Sequence, residues 1–244
     1  GKMLVHRRVL PHLTEQCCPL PHAEPYALDD REGPHAENLR VDDGAYIFDL
    51  IAEGHALRDL RLGMPGRHNV ENAVAASAMA LHVGVAPEKL REGLATFQGV
   101  HRRFEVRARS VTGVMIDDYA HHPAELEACI SSVRELYPGR KITGVFQPHL
   151  FSRTRDLATD FAKSLALLDE VILLEIYPAR EQPIPGITSE WLRQQLPEMN
   201  STVCTKEQLM PLLEGRNVDI LLALGAGDID RLVPSMAAMI DRRA

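Results

Sequence analysis

Short apolar runs alternate with helical patterns through the second half of the sequence, and this alternation limits the folds open to the chain. The runs have the length and the β-branched content of buried strands, and amphipathic stretches of helical length separate them. Strands are predicted at 106–108, 114–116, 142–146, 171–176, 202–204 and 220–224, and helices at 123–136, 152–168, 189–196, 207–213 and 229–240. Such alternation favours βαβ units, so we expect an α/β domain with a mostly parallel sheet and helices on both faces.

The first hundred residues have a different pattern. Strands are predicted at 2–9, 39–41 and 45–51, and helices at 68–81 and 87–97. Asp42-Asp43-Gly44 is a strong signal for a hairpin turn. The proline-rich stretch 10–35 is predicted to be a surface connection with one short strand near Tyr26. The change of pattern predicts two domains, 1–103 and 104–244.

Composition and charge exclude several classes of protein. The 244 residues carry a net charge of −7 without a basic tail or stripe, so nucleic acid is not an expected partner. No apolar run approaches the ~20 residues of a membrane helix, so no membrane partner is expected. Cys17, Cys18, Cys129 and Cys204 lack a C-x-x-C spacing. This favours reduced thiols in a cytoplasmic protein over a zinc site or a disulfide framework.

A polar cluster at 117–122 (DDYAHH) directly follows the apolar run 114–116. Ligands of open α/β sheets bind at the carboxyl ends of strands, so this cluster is a candidate site. Pro123 fits the first turn of the helix that follows. The alternative is a capped corner in which the Asp pair only satisfies free helix N–H groups. Adjacent imidazoles rarely reach one ion, so no metal site is expected at His121 and His122.

Two further clusters stand at a helix start and at the expected domain boundary. Asn69 could cap the helix predicted at 68–81, and Asn72 lies one turn further, so both amides could meet the edge of adenine. The alternative is an N-cap followed by a solvated Asn. Arg102 and Arg103 could clamp phosphate oxygens, since adjacent guanidinium groups bind them well. The alternative there is an interdomain salt bridge.

A third cluster, residues 146–156 (FQPHLFSRTRD), runs from a strand into a helix start. His149, Arg153 and Arg155 are unfavourable at that end of a helix, and unfavourable local choices tend to mark function. We expect this cluster to bind a carboxylate or a phosphate. The Gly225-Ala226-Gly227 turn is a weaker signal, for which close packing is the better interpretation. Because these clusters follow strands or stand at the boundary, they are expected to share one cleft.

Taken together, five motifs resemble the Mur ligase family. They are PGRHNVENA at 65–73, FQGVHRRFE at 97–105, DDYAHHPAE at 117–125, FQPHLFSRTRD at 146–156 and EIYPAREQPIPG at 175–186. The resemblance implies that 1–103 is the end of a central ATP-binding domain, a partial α+β remnant, and that 104–244 is a carboxyl-terminal Rossmann-like domain. The sequence has no Gly-Lys-Ser/Thr phosphate loop. It is therefore expected to be a fragment that lacks the amino-terminal domain and the phosphate-loop part, and to be inactive alone.

The resemblance also implies a reaction, in which a ligase of peptidoglycan synthesis joins L-alanine to UDP-N-acetylmuramate through an acyl phosphate made from ATP. Magnesium would be needed, with its ligands mainly in the missing part. The motif at 146–156 favours alanine addition. A family member that recycles murein tripeptide, or a nucleotide-binding module without catalysis, remains an alternative.

The family's functional residues carry over to matching positions in three groups. The expected catalytic residues are Arg102, His121 and His122. The nucleotide would be bound by His68, Asn69, Asn72, Arg102, Asp118 and Tyr119. The substrates would be bound by His149, Arg153 and Arg155. Arg103 could assist Arg102. Position 150 is Leu where some members carry Arg, which puts one substrate contact in doubt.

Overall fold

A computed structural model describes residues 1–16, 23–42, 44–97 and 99–242. The chain forms two compact units, Gly1–Gln98 and Gly99–Ala244. The division falls before Gly99, whereas the sequence pattern suggested residue 103. Residues 102 and 104 belong with the second unit because the N–H of Tyr119 donates to the carbonyl of Arg102 over 2.7 Å and the N–H of Phe104 donates to Asp118 over 2.7 Å.

Unit 1 contains two small sheets and three helices among its described residues. Its elements are β1 (Met3–His6), α1 (Leu10–Gln16), β2 (Ala23–Tyr26), β3 (His35–Asp42), β4 (Ala45–Ala52), β5 (His55–Leu62), α2 (Arg67–His82) and α3 (Pro87–Thr96). Strands β1 and β2 pair in parallel, and β3, β4 and β5 form an antiparallel sheet. Helix α2 packs on β4, where Tyr46, Phe48 and Leu50 are fully buried.

The predicted hairpin is confirmed, because Asp42 pairs with Ala45 across β3 and β4. Asp43, Cys17 and Cys18 lie outside the described residues. The prediction of a connection without a helix over 10–35 was wrong at its start, where α1 forms. Pro11 is no obstacle there, because a proline in the first turn removes an N–H that has no helical partner.

Unit 2 contains a six-stranded sheet in the order β10-β9-β8-β11-β7-β6. The strands are β6 (Glu105–Arg109), β7 (Val114–Asp118), β8 (Ile142–Phe146), β9 (Glu170–Leu173), β10 (Asn200–Val203) and β11 (Ile220–Leu224). The helices are α4 (Pro123–Leu136), α5 (Phe151–Asp156), α6 (Ala158–Leu165), α7 (Ser189–Arg193), α8 (Lys206–Glu214) and α9 (Val233–Asp241), with a 3-10 turn at Asp228–Leu232. All neighbours pair in parallel except β6 with β7, so the predicted α/β fold is confirmed.

The apolar side chains of the central strands are buried on both faces of this sheet. Met115 and Leu221 pack with Leu213 of α8 and Met236 of α9. Ile116 alternates with Met115 along β7 and therefore faces the other side, where it is also fully buried. Helices α4 and α6 pack against each other. Strands buried on both faces read as continuous apolar runs, which is why the sequence pattern located them.

Several predicted elements of unit 2 were wrong in length, among them the helix at 189–196, which ends at Arg193, and the helix at 229–240, which begins as a 3-10 turn. The helix expected at 152–168 is broken at Leu157, which leaves the helical region at φ −111° and ψ 16° and separates α5 from α6. The strand expected at 171–176 ends at Leu173. The chain then crosses to the segment after β8, where Tyr177 forms a parallel bridge with His149. Within the described ranges, no helix has both the length and the apolar character needed to cross a membrane.

Candidate functional site

Four rings lie in series beyond the carboxyl ends of β7, β8 and β9. The ring centroids of Tyr119 and His121 are 5.2 Å apart, those of His121 and His149 are 6.1 Å apart, and those of His149 and Tyr177 are 5.7 Å apart. The last pair is stacked, with 20° between the ring planes. Parallel strands end at one edge of the sheet, so residues distant in sequence meet there. We call these four residues the ring series.

Arg153 and His149 each present a buried nitrogen that lacks a hydrogen-bond partner among the described residues. These atoms are Nη1 of Arg153 and Nδ1 of His149. Burial lowers the pKa of His149, and the neighbouring Arg153 and His121 lower it further. Buried polar nitrogens without partners are rare in folded proteins and indicate a place for a ligand or water. A guanidinium beside an imidazole suits an anion such as a carboxylate.

Arg102 points into unit 2. Its Nη2 donates to the carbonyl of Gly225 over 2.5 Å and its Nη1 to that of Gly227 over 3.4 Å. The side chain is buried, and its guanidinium carbon lies 5.1 Å from the centre of the Tyr119 ring. Arg103 is exposed and its guanidinium carbon lies 5.5 Å from the same ring. The guanidinium of Arg102 thus ties the chain before β6 to the turn after β11.

Asp117 is fully buried beside Arg102, and neither carboxyl oxygen has a hydrogen-bond partner among the described residues. The Nε atom of Arg102 lies 3.5 Å from Oδ2 of Asp117. Burial raises the pKa of Asp117 to about 6, although the charge of Arg102 acts in the opposite direction. Perturbed carboxyl groups of this kind are concentrated at functional sites.

Asp118 has a different role from its neighbour. Its two oxygens accept from the N–H groups of Phe104 and Ala120, each over 2.7 Å, and burial raises its pKa. The alternative in which the Asp pair caps the helix is wrong. Helix α4 is instead capped by His122, which accepts from the N–H of Ala124 over 3.4 Å, and by Glu125 in a capping box.

The two adjacent histidines are used differently. His121 is half-buried in the ring series, and its Nδ1 lies 3.0 Å from the carbonyl of Tyr119 and 3.2 Å from a carboxylate oxygen of Glu125. His122 is exposed and serves as the N-cap of α4. The geometry therefore brings His121, but not the side chain of His122, into the ring series. Their catalytic roles remain predictions.

Arg155 does not join the two residues with which it was grouped. It is exposed and its Nε donates to Asp156 over 2.8 Å, whereas His149 and Arg153 each carry a buried nitrogen.

The three nucleotide-binding candidates of unit 1 stand on the first turns of α2. Asn69 is buried and its Nδ2 donates to the carbonyl of Pro65 over 2.6 Å, whereas His68 and Asn72 are exposed. The N-cap is Gly66 with φ 108°, so the prediction that Asn69 caps this helix was wrong. Their contacts with a nucleotide remain predictions.

The sequence pattern missed Gln147, which organises the turn after β11. Its Oε1 accepts from the N–H of Ile229 over 2.9 Å and its Nε2 donates to Asp228 over 2.9 Å. A Cβ at Gly225 would lie 2.5 Å from the carbonyl oxygen of Gln147, and one at Gly227 would lie 2.2 Å from its Oε1. The interpretation of this glycine pair as a packing turn is confirmed. A polar residue directly after an apolar run was the available signal, and it also applies to Asp117.

The described part of the chain has no group of three or more His, Cys, Asp or Glu side chains placed to hold a metal ion. The charged groups at the sheet edge are suited to anions.

The fold and the site define a domain of the Mur ligases, and the chain belongs to this family. A family profile described as "Mur ligase, glutamate ligase domain" matches residues 102–227. The chain is 50% identical over 208 residues to the UDP-N-acetylmuramate–L-alanine ligase of Parabacteroides distasonis, an alignment that covers 85% of this chain and 45% of the relative. The corresponding ligase of Porphyromonas gingivalis is 51% identical over 210 residues, with 85% and 46% covered.

A solved structure supports the same relationship. The crystal structure of the UDP-N-acetylmuramate–alanine ligase from Thermotoga maritima matches with a TM-score of 0.70 and 27% identity, over 90% of this chain and 48% of that one. The chain spans about half the length of the curated relatives it matches.

Proposed function

We propose that this chain is part of an ATP-dependent ligase that joins L-alanine to the carboxylate of UDP-N-acetylmuramate during peptidoglycan synthesis. The carrying observation is the identity of about half of the aligned residues with two ligases of that name, over 85% of the chain. The matched portion is about half of each relative, so the chain would supply one part of the catalytic machinery.

The anion-binding character of the sheet edge supports the proposal. A carboxylate is a poor electrophile, and its conversion to an acyl phosphate supplies a leaving group that the amine of alanine can displace. Negative charge develops on the phosphate and on the tetrahedral intermediate, so cationic groups placed beforehand stabilise the transition state. His149 and Arg153 would hold a substrate carboxylate, because their buried nitrogens have no other partner among the described residues.

The nucleotide would lie nearer to β7. Arg103 and Tyr119 would contact it from this unit, and Asp118 would fix the loop through its bonds to Phe104 and Ala120. Arg102 would contribute its positive charge as a buried cation, because its guanidinium already donates to the carbonyls of Gly225 and Gly227. Magnesium would be held mainly by residues of the part of the ligase that this chain does not contain.

The cytoplasm is the proposed location, with small molecules as partners. Cys129 and Cys204 are free and buried, which agrees with a reducing compartment. The net charge of −7 gives no support for nucleic acid as a partner. We also expect the chain by itself to release no phosphate from ATP, because its sequence has no phosphate loop.

A segment exchange tests the proposal. The matching segment of the Parabacteroides distasonis ligase is replaced by residues of this chain, and the product is called the swap ligase. We expect phosphate release from ATP that depends on both L-alanine and UDP-N-acetylmuramate. Dependence on a murein tripeptide instead of L-alanine would favour the recycling activity. Nucleotide binding by the chain without turnover in the swap ligase would favour a non-catalytic module.

A further inference from the structure

The loop between β9 and α7, residues 174–188, folds back on the segment that carries His149 and Arg153. It is long for a connection in a compact α/β domain, and ordered loops of this length are commonly functional. Its first part continues the direction of β9, since the N–H of Leu174 donates to the carbonyl of Phe146 over 3.0 Å. Its middle part then makes two attachments to the segment 148–152.

The first attachment is at Tyr177. The N–H of Tyr177 donates to the carbonyl of Pro148 over 2.8 Å, and the N–H of Leu150 donates to the carbonyl of Tyr177 over 3.0 Å. The ring of Tyr177 stacks on His149. These contacts fix the backbone on both sides of His149 and one face of its ring.

The second attachment is at Glu181. Its Oε2 accepts from the N–H of Ser152 over 3.0 Å, and its Oε1 accepts from the hydroxyl of Ser152. Ser152 is in the first turn of α5, where helix N–H groups have no partner within the helix. Leu150, the N-cap of α5, supplies no side-chain bond and has φ 72°, an unfavourable value for a residue with a side chain. A carboxylate from another element therefore supplies the cap that the local sequence lacks.

We propose that Glu181 is a positioning residue that holds the first turn of α5, and with it the guanidinium of Arg153, in register with His149. This inference rests on the proposed function, in which Arg153 and His149 bind a substrate carboxylate. Glu181 does not contact that pair through a hydrogen bond. It acts through Ser152, one position before Arg153, while Tyr177 holds the other half of the pair.

The charges around His149 agree with this arrangement. Burial lowers the pKa of His149, the cation of Arg153 and the ring of His121 lower it further, and Glu181 alone among the named neighbours raises it. The carboxylate of Glu181 also keeps a low pKa because it accepts from the side chain and the backbone of Ser152.

The chain itself offers a test that needs no catalysis. In Glu181→Gln, nuclear magnetic resonance should show a lower pKa for His149 and faster hydrogen exchange at the amide of Ser152, because the negative charge and one of the two acceptor oxygens are removed. Glu175→Gln is the matched control: it removes an exposed carboxylate from the same loop and should leave both signals unchanged. An unchanged His149 titration together with unchanged Ser152 exchange in Glu181→Gln would overturn the proposal.

The swap ligase supplies the second test. Glu181→Gln should raise the KM for UDP-N-acetylmuramate or L-alanine at least about tenfold and leave the KM for ATP within about twofold, since small misplacements of binding groups are costly. Ser152→Ala, which keeps the backbone contact, should have a smaller effect. An equal rise in all three KM values would indicate general loosening and would contradict a positioning role.

The two tests separate the two claims. If the unaltered swap ligase is inactive, the proposed function fails, while the resonance measurements still decide whether Glu181 holds α5. Glu181→Gln is the decisive variant because it keeps one acceptor oxygen in a side chain of the same size, so it disturbs the fold less than Glu181→Ala would.

Discussion

Replacement of Asp117 by Asn should stabilise unit 2 at neutral and alkaline pH. The carboxyl group is fully buried and neither oxygen has a hydrogen-bond partner among the described residues. Burial raises its pKa from an ordinary value of 3.8 to about 6. The folded state therefore binds this proton more tightly than the unfolded chain does, and ionisation of Asp117 destabilises the fold.

The pH dependence follows from the direction of this change. The destabilisation is absent below about pH 4, grows between about pH 4 and 6, and is complete above about pH 6. Each pKa unit corresponds to ~1.4 kcal/mol, so the full effect is about 3 kcal/mol. Asn resembles the protonated acid in shape and charge. The variant should therefore match the unaltered chain below about pH 4 and exceed its free energy of unfolding by about 3 kcal/mol near pH 8.

Trp191 makes the measurement specific to unit 2, because it is the single tryptophan and lies in α7. Urea unfolding followed by its fluorescence at two pH values gives the difference between variant and unaltered chain, from which other titrating groups cancel. Asp160→Asn, which neutralises an exposed carboxylate of α6, is the control. A loss of stability in Asp117→Asn of equal size at both pH values would refute the reasoning, because attraction to Arg102 would then outweigh burial.

Further predictions concern the other unit, the glycine turn and the anion site. Asp49→Ala should lower the free energy of unfolding of unit 1 by about 2 kcal/mol at neutral pH, measured by circular dichroism. Burial alone would raise the pKa of Asp49, but hydrogen bonds from Asn38, the N–H of Asp59 and Arg58 lower it to about 2. This stabilisation is therefore lost as the pH falls from about 4 to 2. Gly225→Ala should destabilise unit 2 by roughly 1–3 kcal/mol in urea unfolding, because φ is 131° and the new Cβ would meet the carbonyl of Gln147 at 2.5 Å. Arg153→Ala in the swap ligase should lose at least ~2 kcal/mol of transition-state stabilisation, measured as kcat/KM, and an unchanged value would exclude its role.

The sheet of unit 2 was predictable because its strands are buried on both faces. The run at 220–224 became β11, and that at 142–146 became β8, with the predicted limits. The break at Leu157 was not predictable, since the sequence on both sides favours a helix. Helix α1 was missed because a high proline content suggested a loop, although Pro11 stands where a helix accepts it.

The sequence predicted which segments of the candidate site meet. It did not predict which side-chain atoms face a ligand. Parallel strands necessarily bring the segments after β7 and β8 to one edge, so the meeting of His121 with His149 followed from topology. The inward direction of the Arg102 side chain could not be predicted from topology, because it depends on glycine carbonyls more than 120 positions away in the sequence. The bond between Glu181 and Ser152 is also long-range, across 29 positions. Local patterns contain no information about such pairs.

Two buried carboxyl groups at opposite edges of the sheet of unit 2 differ in their hydrogen bonding. Glu170 begins β9 at the amino-terminal edge of the sheet and is bonded to Lys141, Thr143 and Arg216. The carboxyl group of Asp117, in the last part of β7 at the opposite edge, has no hydrogen bond among the described residues, and Leu150 with its strained φ lies at that edge too. Chains tolerate such unfavourable features where function requires them and satisfy equivalent groups elsewhere. The asymmetry therefore supports our proposal that the carboxyl edge of the sheet carries the site.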